Sequence, residues 1–168
     1  MNRSISPLAL EDVGDLCALA RETWRQHYPP IIGEAQTEYM LAQRYEPALV
    51  AAELARPDVW WDVLTENGAM LAFASSLRDG QPEELKLDKL YVQPQRQRRG
   101  YGAALIEHTC ERASRLGCEK VVLAVNKRNA AAIAAYTKHG FGIRESVVKD
   151  IGGGFVMDDY VMERDCRT

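Results

Sequence analysis

A chain of 168 residues with 46% apolar and 27% charged content is long enough to bury a core and too apolar to stay disordered. Its net charge of −3 argues against a general nucleic-acid or membrane-surface binder, so an anionic partner must be met by a local cluster of positive charge. The four cysteines, Cys17, Cys110, Cys118 and Cys166, form no Cys-x-x-Cys pair, and no His/Cys group has zinc-finger spacing; reduced thiols and no metal are expected.

In chain order, "SIS" before Pro7 reads as a short first strand. From Asp12 to His27, Val13, Leu16, Ala20 and Trp24 recur at helical spacing, and Pro29–Pro30 should end that helix. A second helical stretch covers about Thr37 to Ala55, with Pro47 suited to start a new helix within it. The period then changes. "VWWDVLT" and "AMLAFASSL" are strand-like and joined by Asn67–Gly68, a hairpin signal. "LKLDKLYV" alternates as a third strand of this group. Gly102 to Leu116 reads as a helix closed by Gly117, "KVVLAV" as a buried strand, and Asn129 to His139 as an alanine-rich helix stopped by Gly140. "FGIRESVV" and "FVMDDYVMER" are two last strands around the Gly152–Gly154 turn. This order predicts a single α/β (α+β) domain over 1–168, a mixed sheet with helices on both faces.

The charge cluster lies in "QRQRRGYGAAL", residues Gln95 to Leu105. A strand ends near Val92, Pro94 stops its ladder, and a helix begins around Gly100 to Gly102. The first amides of a helix lack intrahelical partners and carry the positive end of its dipole. Glycine lets a ligand reach that backbone, so the arrangement suits phosphate, with Arg98 and Arg99 adding charge-assisted hydrogen bonds. A solvated turn is the alternative for the arginines; the glycine spacing and the preceding strand favour the anion pocket. The loop lacks both the Gly-Lys-Ser/Thr ending of a Walker loop and the three-glycine dinucleotide fingerprint.

Gln97-Arg98-Arg99-Gly100-Tyr101-Gly102 resembles the Gln/Arg-x-x-Gly-x-Gly/Ala signature of the GCN5-related N-acetyltransferases, the GNAT superfamily. "KLYVQP" precedes it and "NKRNAAAIAAYTKHGF" follows one helix and one strand later, as in that family, and the element order matches along the whole chain. The resemblance implies a mostly antiparallel central sheet of about six or seven strands and an acetyl-CoA-dependent N-acetyltransferase. It implies that the main chain of Gln97, Arg98, Arg99, Gly100, Tyr101, Gly102 and Ala103 holds the cofactor's pyrophosphate. It also implies that the acetyl and pantetheine groups lie along Leu90, Tyr91 and Val92 like an added strand, although Leu90 and Val92 read equally as core residues. Lys127 and Arg128 suit either the 3′-phosphate or plain solvation.

Acetyl transfer needs a deprotonated amine, stabilisation of the carbonyl oxygen and a proton for the leaving thiolate. No Ser-His-Asp or Cys-His arrangement is visible, so direct attack within a ternary complex is the simpler route. Tyr136 is the candidate acid, seven residues after Asn129 and so on the same helical face. In the resemblance, Asn129 holds the cofactor arm and Tyr136 sits near the sulfur; an N-cap and a packed tyrosine are the alternatives. Asn126 is a further cofactor candidate. Asp88 shares a strand face with Leu90 and Val92 and is the candidate base through a water relay, with Glu84 second and an exposed strand carboxylate the alternative for each. His27, His108 and His139 read as incidental.

The resemblance places the acceptor between the first helices and the loop joining the last strands, which here supply Trp24, Tyr28 and Tyr39, then Asp158, Asp159 and Tyr160. Aromatic faces with carboxylates suit a cationic primary amine of a small molecule or peptide, while Trp24 suits equally the core of its helix and Asp158–Asp159 a polar turn. A CoA-binding sensor without catalysis is the alternative reading of the chain. Nucleic acid is disfavoured by the acidic total and the lack of interleaved aromatics. Glu11 and Asp12 interrupt any N-terminal leader, and no stretch approaches the ~20 apolar residues of a membrane span, so a cytoplasmic location without membrane contact is expected. A homodimer is what the resemblance suggests.

Overall fold

The structure, a computed structural model, describes residues 2–167. Seven strands run β1 (Arg3–Pro7), β2 (Val59–Glu66), β3 (Ala69–Leu77), β4 (Glu84–Val92), β5 (Lys120–Asn126), β6 (Gly142–Gly152) and β7 (Phe155–Asp165). Six helices are interspersed: α1 (Val13–His27), α2 (Pro29–Ile32), α3 (Glu34–Arg44), α4 (Pro47–Leu54), α5 (Tyr101–Arg115) and α6 (Ala130–Lys138). The sheet order is β1-β2-β3-β4-β5-β7-β6. β4 and β5 run parallel, joined through α5 as a parallel pair requires, whereas β1–β2, β2–β3, β5–β7 and β6–β7 are antiparallel. Asn67 (φ 52°) and Gly68 (φ 83°) both take the left-handed conformation of a two-residue hairpin turn between β2 and β3.

Pro29 and Pro30 do end α1, but they also start α2, where a missing N–H costs nothing. The next helix starts at Glu34, ahead of the expected Thr37, and breaks before Pro47 as anticipated.

The chain forms two compact units, residues 1–77 with 89–105 and residues 78–88 with 106–168. In the first, α1 buries Val13, Leu16, Ala20 and Trp24, the i, i+3, i+7, i+11 stripe read from the sequence, together with Cys17, Leu19 and Thr23. Tyr45, Leu64 and Phe73 in the same unit are fully buried, each of a size whose burial contributes about 1.5–3 kcal/mol. In the second, the core holds Leu85, Val121, Leu123 and Met162. The four cysteines are buried, free thiols. Among the described residues no helix is long and apolar enough to cross a membrane.

Candidate active site

In the first unit, β4 closes with the Gln93 N–H donating to Leu71 O at 2.8 Å, and a 3-10 turn at Pro94–Arg96 follows. Arg98 (φ 65°) and Gly100 (φ 83°) then turn the chain into α5. The first bond into that helix runs from Ala104 N–H to Gly100 O at 3.0 Å, so the amides of Tyr101, Gly102 and Ala103 stand ahead of the ladder with no protein acceptor among the described residues. Gly100, just before the helix, has no side chain with which to cap them. Arg98 and Arg99 are exposed and have no acidic partner among the described residues. A Cβ built on Gly100 meets nothing within 4 Å, and one on Gly102 meets only Val92 Cγ2 at 3.8 Å, an ordinary contact. Packing therefore does not demand glycine at 102; a ligand approaching the main chain would.

The Tyr101 side chain does not face that ligand. It is 2% exposed, its hydroxyl donates to Glu66 Oε2 at 2.6 Å, and the Arg3 guanidinium lies 4.4 Å from its ring centroid. It anchors the helix start and leaves only its main chain outward. Gln97 Nε2 reaches back to Val92 O at 3.5 Å. Free amides, two unpaired guanidinium groups and absent Cβ atoms together suit the diphosphate of coenzyme A.

The parallel ladder of β4 on β5 covers only three positions, Glu84–Lys86 against Lys120–Val122. β4 continues for six residues beyond it, through Leu90, Tyr91 and Val92. The expected core roles of Leu90 and Val92 need correction: both are only half-buried, and the buried positions of β4 are Leu85, Leu87 and Lys89.

The same unit gathers Trp24, Tyr28 and Tyr91. The Trp24 ring lies 4.2 Å from Tyr28 and 5.7 Å from Tyr91, and the Tyr28 and Tyr91 hydroxyls are hydrogen-bonded at 2.9 Å. The Phe73 ring lies tilted 5.8 Å from Tyr91. Burial, and secondly the neighbouring Tyr28 and Tyr45, hold the Tyr91 phenol well above its usual pKa, so it stays protonated. Trp24 is 2% exposed, which places it in the core, yet its Nε1–H is buried without a hydrogen-bond partner among the described residues. Tyr39 lies apart from this group on α3, accepting from Gln43 at 3.0 Å.

The second unit carries Asp88, Asn126, Asn129, Tyr136, Asp158 and Asp159. Asn129 is buried, and its Oδ1 accepts from Ala132 N–H at 3.4 Å as the N-cap of α6. Tyr136 is half-buried, with Phe141 edge-on at 5.7 Å. Asn126 is absorbed in a turn, accepting from Arg128 N–H at 2.9 Å. Asp88 has Lys86 Nζ at 3.7 Å. Glu84, the second base candidate, is taken by Arg144 at 2.6 Å. The resemblance placed Asp158 and Asp159 at the loop joining the last strands; they lie within β7, in agreement with the strand reading of "FVMDDYVMER", opposite Val148 and Val147 of β6, and the turn is at Gly153–Gly154. Asp159 is buried, whereas Asp158 is exposed and paired with Lys127 at 2.7 Å. Lys127 also sits 5.5 Å from the Tyr160 ring. Its expected freedom to reach a 3′-phosphate is thus curtailed by a carboxylate of its own chain.

Two residues of this landscape were missed in the sequence. Lys89 is 5% exposed, with Nζ 5.0 Å from the Trp61 ring centroid, and the Tyr91 hydroxyl works as a side-chain partner, not only through its main chain. The signal was present in "LKLDKLYV": the odd positions 85, 87, 89 and 91 share a face, and two leucines mark it as the buried one.

The profile of the acetyltransferase (GNAT) family matches residues 16–141. The chain is 26% identical over 164 residues to the spermidine N(1)-acetyltransferase of Thermoplasma acidophilum, covering 94% of this chain and 97% of that one. It is 41% identical over 78 residues to the [ribosomal protein bS18]-alanine N-acetyltransferase of Escherichia coli, 46% of this chain and 51% of that protein. The crystal structure of the PaiA N-acetyltransferase of Thermoplasma acidophilum in complex with coenzyme A superposes with a TM-score of 0.84, covering 98% of this chain and 99% of that one; at 22% identity this is a likeness of fold.

Proposed function

We propose, because the chain belongs to the acetyltransferase (GNAT) family and is an acetyl-CoA-dependent N-acetyltransferase acting on amines, that it acetylates a primary amine of a small molecule or peptide by direct attack in a ternary complex. The observation that carries this reading is Gly102: no packing in the protein requires its missing Cβ, and it sits beside unpaired amides and two unpaired arginines. Acetyl-CoA supplies an acetyl thioester.

The amides of Tyr101, Gly102 and Ala103 bind the diphosphate, with Arg98 and Arg99 adding charge. The main chain of Leu90, Tyr91 and Val92, past the end of the β4–β5 ladder, receives the pantetheine arm and offers N–H groups to the carbonyl oxygen. Asp88, through water, takes the proton that an ammonium of pKa ~10 must lose before attack. Tyr136 gives its phenolic proton to the departing sulfur. Asn129, already the α6 cap, steadies the helix start that carries Tyr136. Tyr28, half-buried against Trp24, offers an aromatic face to a cationic acceptor, while Asp158 has its charge partly answered by Lys127. The full-length similarity to a spermidine acetyltransferase favours a small cationic amine as acceptor.

The test pairs binding with turnover. Coenzyme A should bind the purified protein in a calorimetric titration. Tyr136→Phe should lose roughly 100-fold or more in kcat with an unchanged Kd for acetyl-CoA. No heat with coenzyme A would end the reading; undiminished kcat in Tyr136→Phe would remove the acid role.

A further inference from the structure

In the second compact unit, one face of α5 meets the end of β7. Glu107, Cys110 and Ser114 recur at i, i+3 and i+7 and so share that face of the helix. Arg164 and Cys166, two residues apart, share one side of the extended chain opposite. Two outer contacts fix the register. Arg164 Nη1–H donates to Glu107 Oε1 at 2.7 Å, and the Ser114 hydroxyl donates to Cys166 O at 2.8 Å. Between them the Cys110 and Cys166 thiols are hydrogen-bonded to each other. Both are buried, Cys110 at 6% and Cys166 at 8% exposure, and neither has a part in the proposed acetyl transfer.

The two thiols are not equivalent. The hydrogen bond from Cys110 holds the Cys166 thiol below its usual pKa, and the Arg164 guanidinium and the Val121 main chain act in the same direction, against burial. The same hydrogen bond, and then burial, push the Cys110 thiol up, so it keeps its proton. A thiolate is the form that attacks a peroxide, and a thiol in contact with it is placed to resolve the product. The other two cysteines are held as thiols. Burial pushes both Cys17 and Cys118 up, and Cys118 Sγ donates to Pro82 O at 3.6 Å.

We propose that Cys110 and Cys166 form an oxidation site that takes a hydroperoxide and closes to a disulfide, Cys166 reacting first and Cys110 resolving. In the first step the Cys166 thiolate attacks a peroxide oxygen. The S–O bond forms, the O–O bond breaks, and the second oxygen leaves as hydroxide and takes up a proton. In the next step Cys110 sulfur attacks Cys166 sulfur of the sulfenic acid; the S–S bond forms, the S–O bond breaks, and the hydroxyl leaves with the Cys110 proton as water. Two thiols and one hydrogen peroxide thus give one disulfide and two waters. Disulfide sulfurs lie ~2 Å apart, so closing from hydrogen-bond contact asks a small movement. Cys166 lies just past the last β5–β7 pair, Lys120 with Asp165, where such a movement breaks no strand pairing. It is flanked by the exposed Asp165 and Arg167, and its own low exposure suits a molecule as small as hydrogen peroxide.

The experiment treats the fully reduced full chain with excess hydrogen peroxide under native conditions, then blocks the remaining thiols and maps the peptides by mass spectrometry without reductant. The count of free thiols should fall from four to two. The Cys110 and Cys166 peptides should be joined, with Cys17 and Cys118 blocked as thiols, and dithiothreitol should restore all four. In Cys110→Ser the reaction should stop at the Cys166 sulfenic acid, which dimedone labels. In Cys166→Ser the thiol of Cys110 should stay reduced and unlabelled. Circular dichroism verifies the fold of each variant, and the wild-type map stands without them. Four thiols surviving the peroxide overturn the proposal. So does a disulfide between any other pair, or oxidation of Cys166 to sulfinic acid with no cross-link. Dimedone on Cys110 in Cys166→Ser, or none on Cys166 in Cys110→Ser, overturns the order of reaction.

Discussion

The protein begins two of its helices in opposite ways. At α6 the buried Asn129 accepts from Ala132 N–H at 3.4 Å and closes the helix start with its own side chain. At α5 the preceding residue is Gly100, with no side chain to give, and the amides of Tyr101 to Ala103 have no acceptor among the described residues. Capping contributes about 1 kcal/mol, so forgoing it at α5 leaves a measurable deficit. Two exposed arginines lie beside the uncapped start, which is the ground for the proposed anion supplied from outside. One end is closed by its own side chain; the other is left open.

The largest test of that contrast is the double variant Arg98→Ala/Arg99→Ala. Two charge-assisted hydrogen bonds of about 1.5 kcal/mol or more each predict an acetyl-CoA Kd raised by about 100-fold, with Tm unchanged because both side chains are exposed. Gly102→Ala comes next. Its new Cβ meets Val92 Cγ2 at an ordinary 3.8 Å, and alanine favours a helix by up to about 1 kcal/mol, so Tm should hold or rise while coenzyme A binding weakens by roughly tenfold. A fall in Tm with binding intact would make this glycine structural and dissolve the contrast. Asn129→Ala should cost about 1 kcal/mol in a urea titration, and Asn129→Ser should recover most of it.

The smallest effect concerns the body of α5. Its start is open, but Glu107 is bonded to Arg164 at 2.7 Å, and that hydrogen bond holds the carboxyl below its usual pKa. A lowered folded pKa adds stability above the unfolded value and loses it as pH falls through the folded value. Because Glu107 is 56% exposed, the contribution is that of a surface pair, ~0.3 kcal/mol. Glu107→Gln should therefore flatten the acid limb of stability below pH ~4.5 and change little at pH 7, as followed by thermal melts across pH.

Much of this was legible in one dimension because it is local. The Asn67–Gly68 turn, the i, i+3, i+7 stripe of α1 and the glycine-arginine entry to α5 each depend on residues within a few positions of one another. The strand that holds Asp158 and Asp159 was legible in "FVMDDYVMER", but their burial was not: only packing decides that Asp159 is buried and Asp158 exposed. Nor was the fate of Lys127, whose partner Asp158 lies thirty-one positions away and across a strand pair.

By itself, then, the sequence determined the order of the strands and main helices, the family and the glycine-arginine entry to α5, since backbone conformation and helix polarity follow from neighbours in the chain. Tertiary structure alone decided that β4 turns Lys89 inward beside Trp61 while Leu90 and Val92 stay half-buried, and that Glu84 is spent on Arg144. A strand's alternation states that two faces exist; which one meets the core depends on residues brought to it from elsewhere in the chain.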